Sequence, residues 1–196
     1  MTLEELIIAA YRVIGSLPVL RWPFIGGIVA ILCDLGDLFL MNLLDLGGVR
    51  NYQTFDKWLD QVYMLTFLAV TLQWQLLPKT LARGLFAYRT VGFVVFEMTK
   101  SRKILFAFPN VFEFWFLWVA GLKFFDLERT QKDAGERRSL LFPYRYSPAQ
   151  VVAVLGLLTS AKLFQEYVLH YGRWLDGFTA VEAVEAIWDF FTGPLR

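Results

Sequence analysis

Five long apolar runs, at residues 24–44, 58–77, 84–99, 104–125 and 149–171, leave this chain few ways to fold. A helix rises about 1.5 Å per residue, so each run approaches the ~30 Å of a bilayer's hydrocarbon core. The chain is 57% apolar and 17% aromatic, with only 19% charged residues. A water-facing domain of this size would lack the polar material to cover itself. The pattern predicts an all-α, polytopic transmembrane helical bundle of about five spans, forming a single membrane domain over residues 1–196.

Amphipathic helices are expected at both ends, lying at the membrane interface. Residues 2–16 begin with a T-x-x-E capping box, Thr2 with Glu5, and carry Leu3, Leu6, Ile7, Ala10 and Ile14 at helical spacing. Residues 179–192 begin with a second box, Thr179 with Glu182. Between the last two spans, residues 126–147 read as a polar loop of mixed charge. The N-terminus lacks the basic region of a secretory signal, so insertion is expected to rely on the first span. Ten Lys and Arg fall on the side of the N-terminus against seven on the other, which favours an N-terminus inside. A multi-pass protein of a bacterial inner membrane is the expected location.

The net charge of +1 gives no electrostatic basis for nucleic-acid binding. The lone Cys33 excludes an intrachain disulfide and a cysteine metal cage, and reads as a small packing residue. The lipid bilayer is the expected partner, with other membrane subunits or a second copy of the chain as further candidates.

Charges inside apolar runs are costly and are rarely kept without use. Asp34 and Asp37, three apart, share a helix face, as do Asp56 and Asp60, four apart. The four converge if their helices pack as an antiparallel hairpin. Later runs add a polar network of Arg89, Glu97, Asn110, Glu113, Lys162 and Glu166, with Thr159 and His170 extending the last stripe. Each of these has a structural reading beside a functional one. Lys162 with Glu166 is an i,i+4 pair, Arg89 with Glu97 or Glu113 is a register-fixing bridge, and Asn110 bonds carbonyls that Pro109 frees.

Two aspartates three apart, then two four apart, resemble the CDP-alcohol phosphotransferase family, whose motif runs D-x2-D-G-x2-A-R-x8-G-x3-D-x3-D. The resemblance covers about 27 residues. Leu38, Met41-Asn42 and Tyr52 stand where the motif has glycine, Ala-Arg and glycine, and the spacing between the pairs is one residue longer. It implies that Asp34, Asp37, Asp56 and Asp60 hold a divalent cation, Mg²⁺ or Mn²⁺. Asp60 would be the general base, with Asp56 beside it as the second catalytic carboxylate. Three functions stay open at this point. They are a metal-dependent enzyme acting on a lipid headgroup or phosphate, a small proton or cation channel or transporter, and a non-enzymatic subunit or scaffold of a membrane complex.

Overall fold

The computed structural model describes residues 2–44, 49, 51–74, 76–132, 148–167 and 188. The elements among them are all helical. They are α1 (Leu3–Ser16), α2 (Pro23–Leu35), α3 (Asp37–Leu44), α4 (Tyr52–Thr71), α5 (Leu76–Thr99), α6 (Arg102–Ala107), α7 (Val111–Lys132) and α8 (Pro148–Glu166), with a 3-10 segment Leu17–Leu20 after α1. Asp45, residues 133–147, His170 and the expected helix 179–192, Trp188 apart, lie outside the described residues.

No helix among the described residues is long and apolar enough to cross a membrane. This overturns the polytopic transmembrane bundle and, with it, the multi-pass membrane location. The helices stand where the apolar runs are, but the runs are broken or diluted. Gly36 divides the first, leaving α2 with 13 residues, about 20 Å, and α3 with 8. Pro109 divides the fourth into α6 and α7. The longer helices carry too much charge. α4 holds Asp56, Lys57 and Asp60, and α5 holds Lys79, Arg83, Arg89 and Glu97. In α8, Gln150, Thr159, Ser160, Lys162, Gln165 and Glu166 dilute the leucines.

The core forms where α4 and α7 bring aromatic rings together. Phe67 stacks on Phe116 with centroids 3.9 Å apart, and Trp74 stacks on the same ring at 5.6 Å. From α5, Phe86 meets Phe112 edge-on. The buried Trp115 indole donates to the Pro78 carbonyl at 3.2 Å, so its one polar atom is satisfied. Val154, Leu155 and Leu158 of α8 close one side.

α1 is held at its start by the Thr2–Glu5 capping box. Its orientation is the reverse of the usual amphipathic helix. Glu4, Ile8, Arg12, Gly15 and Ser16 face inward, while Leu3, Leu6, Val13 and Ile14 are exposed. α2 can pack closely against the 3-10 segment Leu17–Leu20 because Gly26 has no side chain. A Cβ there would collide with the backbone of Pro18 and Val19.

Candidate functional site

Inverting α1 delivers Arg12 to the centre of the molecule. Its side chain is only 3% exposed. The break at Gly36 sets Asp34 on the last turn of α2 and Asp37 on the first turn of α3. The opening turns of α4 supply Asp56, Lys57 and Asp60. All four aspartates named from the sequence therefore meet, and they meet around an arginine. Arg12 Nη1 donates to Asp37 Oδ2 at 3.0 Å and to Asp56 Oδ1 at 2.8 Å. Its Nη2 donates to Asp60 Oδ1 at 2.7 Å and pairs with Asp34 Oδ1. Lys57 Nζ bridges Asp56 Oδ2 at 2.7 Å and Asp60 Oδ2 at 2.8 Å. Tyr52 donates its hydroxyl to Asp37 Oδ1 at 2.9 Å.

These contacts divide the acids. Burial pushes Asp60 upward, but Lys57 and Arg12 outweigh it and hold the carboxyl below its ordinary value, which makes Asp60 a weak base. Asp37 goes the other way. Burial outweighs Arg12 and the Tyr52 hydrogen bond, and with Asp56 and Asp60 nearby its pKa is pushed up from 3.8 to about 6. Lys57 is held above its ordinary value, because the pull of Asp60 and Asp56 exceeds the desolvation that opposes it.

Asp37 sets a pH dependence. A buried acid whose folded pKa is raised favours folding while protonated, below about pH 4. That stability is lost as pH rises through about 6. At ~1.4 kcal/mol per pH unit the loss amounts to ~3 kcal/mol. The Asp60 contribution, with its lowered pKa, is lost only as pH falls below its ordinary value of 3.8. Melting curves between pH 4 and 7 should show wild type losing more stability than Asp37→Asn, and parallel curves would contradict this assignment.

A second polar centre lies deeper, between α4, α7 and α8. Glu113 Oε2 accepts from Tyr63 at 3.2 Å, from Asn110 Nδ2 at 3.1 Å and from Lys162 Nζ at 3.4 Å. Asn110 Nδ2 also donates to the Tyr63 hydroxyl at 3.0 Å. Lys162 reaches Glu166 at 3.8 Å and donates to Gln165 at 2.8 Å. Arg89 meets neither Glu97 nor Glu113. Its Nη1 donates to the Phe108 carbonyl at 2.7 Å, and Tyr88 donates to the Ala107 carbonyl at 2.6 Å. These two side chains, and not Asn110, receive the carbonyls next to the Pro109 break. Glu97 sits apart, paired with Lys100 where α5 ends. A cavity of about 60 Å³ lies between the two centres, with Asp34 and Asp60 on one side and Arg89, Asn110, Glu113 and Lys162 on the other. Arg89 Nε and Asn110 Oδ1 are buried without a protein partner, and the cavity has room for a few waters at roughly 10–15 Å³ each.

Sequence reasoning passed over Arg12, Lys57, Tyr52 and Tyr63. The available signal was the spacing of Glu4, Ile8, Arg12 and Ser16, which puts a base and an acid on one helix face. Carboxylate oxygens of Asp34, Asp56 and Asp60 do lie within 4.8 Å of one another, a spread that a divalent cation could bridge. Yet the Arg12 guanidinium occupies the space between them, and Lys57 takes two further oxygens. As arranged, the carboxylates are engaged by the guanidinium and the ammonium. No protein-family model, curated protein or solved structure matches this chain.

Proposed function

We propose that the protein is a non-enzymatic subunit of a larger assembly, its shape locked by inward ion pairs and its partner met through the outward face of α1 and α2. The observation that carries this reading is the composition of that face. Fourteen residues between 2 and 35 are exposed, and Arg21 alone among them is charged. Leu3, Leu6, Ala10, Val13 and Leu17 on and just after α1, and Ile25, Ile28, Leu32 and Leu35 on α2, repeat at alternating three- and four-residue steps, and all are exposed. That is the spacing of a seam that packs against another helix.

A second copy of the chain fits the seam best. An uncharged apolar face is complementary to itself, and it offers no charge with which to select a different partner. The test is the solution mass of the full chain by sedimentation, for wild type and for Leu6→Glu combined with Leu32→Glu. Wild type should sediment as a dimer or larger species of the 22.7 kDa chain. The two buried charges should weaken association at least about a hundredfold while leaving the fold intact. A monomeric wild type, or an assembly indifferent to both substitutions, would overturn the reading.

A further inference from the structure

The cavity of about 60 Å³ between the two polar centres is explained by neither of them. Its volume equals roughly four to six water positions. That is too little for a drug-sized molecule, but enough for a fragment of about four non-hydrogen atoms. α4, α5, α7 and α8 all send polar side chains to its wall, and two of those side chains are incompletely bonded. Arg89 and Asn110 are 4% and 2% exposed, and Arg89 Nε and Asn110 Oδ1 are buried with no hydrogen-bond partner.

Neither side chain can turn freely to find a partner. Arg89 is held by its Nη1 bond to the Phe108 carbonyl, and Asn110 by its Nδ2 bonds to Tyr63 and Glu113. A buried donor and a buried acceptor left unmet are costly, so the pair favours a molecule that satisfies both. The charge of the wall sets a second condition. Among the described residues, Asp34, Asp60, Glu113 and Glu166 line the cavity with Lys57, Arg89 and Lys162, and Arg12 behind them pairs with Asp34 and Asp60. Four acids against four bases leave no net charge, so an ion of either sign would lose its hydration there without compensation.

We propose that this cavity binds a small neutral amide, its carbonyl accepting from Arg89 Nε and its N–H donating to Asn110 Oδ1. A primary amide presents a strong acceptor and a strong donor side by side without a charge. Neither Arg89 nor Asn110 lies on α1 or α2, so this site and the assembly proposed above stand or fall separately. The experiment titrates the full chain with acetamide, acetate and acetamidinium, which share size and shape and differ in charge. Nitrogen-15 NMR of the arginine side chains follows the Arg89 Nε–H, and ligand-observed NMR follows binding in variants.

Acetamide should shift the Arg89 signal saturably, with an affinity at least about tenfold above that of either ion. Acetate would set an acceptor against Asn110 Oδ1, and acetamidinium a donor against Arg89 Nε, so each leaves one atom unmet. Arg89→Lys keeps the charge and removes the Nε–H. In that variant, with folding checked by its melting curve, acetamide binding should fall at least about tenfold. Equal binding of the three molecules by wild type would overturn the proposal, whether or not Arg89→Lys folds. So would the lack of a saturable shift, which would leave the cavity to water, or undiminished acetamide binding by folded Arg89→Lys.

Discussion

Replacing Arg12 by methionine is expected to lower folding stability by about 3–5 kcal/mol, enough to unfold a marginal protein outright. Methionine fills much of the same volume and keeps the apolar contacts of the stem, so the loss is electrostatic. Without the guanidinium, Asp34, Asp37, Asp56 and Asp60 face one another with Lys57 as the one cation among the described residues bonded to any of them, and Lys57 pairs with Asp56 and Asp60. Asp37 would keep Tyr52 alone. Denaturant unfolding at pH 7 measures the loss. Lowering the pH toward 4 should recover part of it, because protonating Asp37 removes one of the uncompensated charges. A variant as stable as wild type would mean that the quartet does not hold the helices together.

Phe67→Ala should cost a comparable ~3–5 kcal/mol through a different mechanism. Phe67 is fully buried and touches the rings of Tyr63, Phe112 and Phe116, so its removal leaves a void at the junction of α4 and α7. The loss should be independent of pH, unlike that of Arg12→Met. Comparing the two variants at pH 4 and pH 7 separates packing from charge. A pH-dependent loss at Phe67, or one below about 1 kcal/mol, would contradict the packing described for this core.

The sequence showed where the helices lie, because runs of apolar residues bounded by Pro18, Pro78 and the Thr2 cap are local signals. It misjudged what those helices do. A tally of apolar residues treats Gly36 and Pro109 as ordinary members of a run. In the fold, each interrupts a run: Gly36 leaves α2 and α3 too short to span a bilayer, and Pro109 cuts off α6 and leaves α7, which is long enough but too charged. The orientation of α1 was equally hidden. Its apolar stripe is plain, but which face turns inward depends on Asp60, 48 positions further along the chain. Arg12 and Lys57 were therefore passed over, though they are the cations around which the aspartates gather. Arg89 misled for a related reason. Helical spacing pointed to Glu97 or Glu113, whereas the partner is a backbone carbonyl at Phe108, exposed by a helix break that side-chain spacing does not register.

The account rests on the guanidinium of Arg12 filling the aspartate quartet. The most direct test is thermal unfolding of wild type and Asp60→Asn, each with and without Mg²⁺ or Mn²⁺. A ligand bound only by the folded state adds about 2.7 kcal/mol at a hundred times its dissociation constant. The account predicts no shift in wild type on adding either ion, and a variant destabilised by the loss of one carboxylate partner of Arg12 and Lys57. A metal-dependent rise in wild type that disappears in Asp60→Asn would contradict it, and would place a cation where the structure has an arginine.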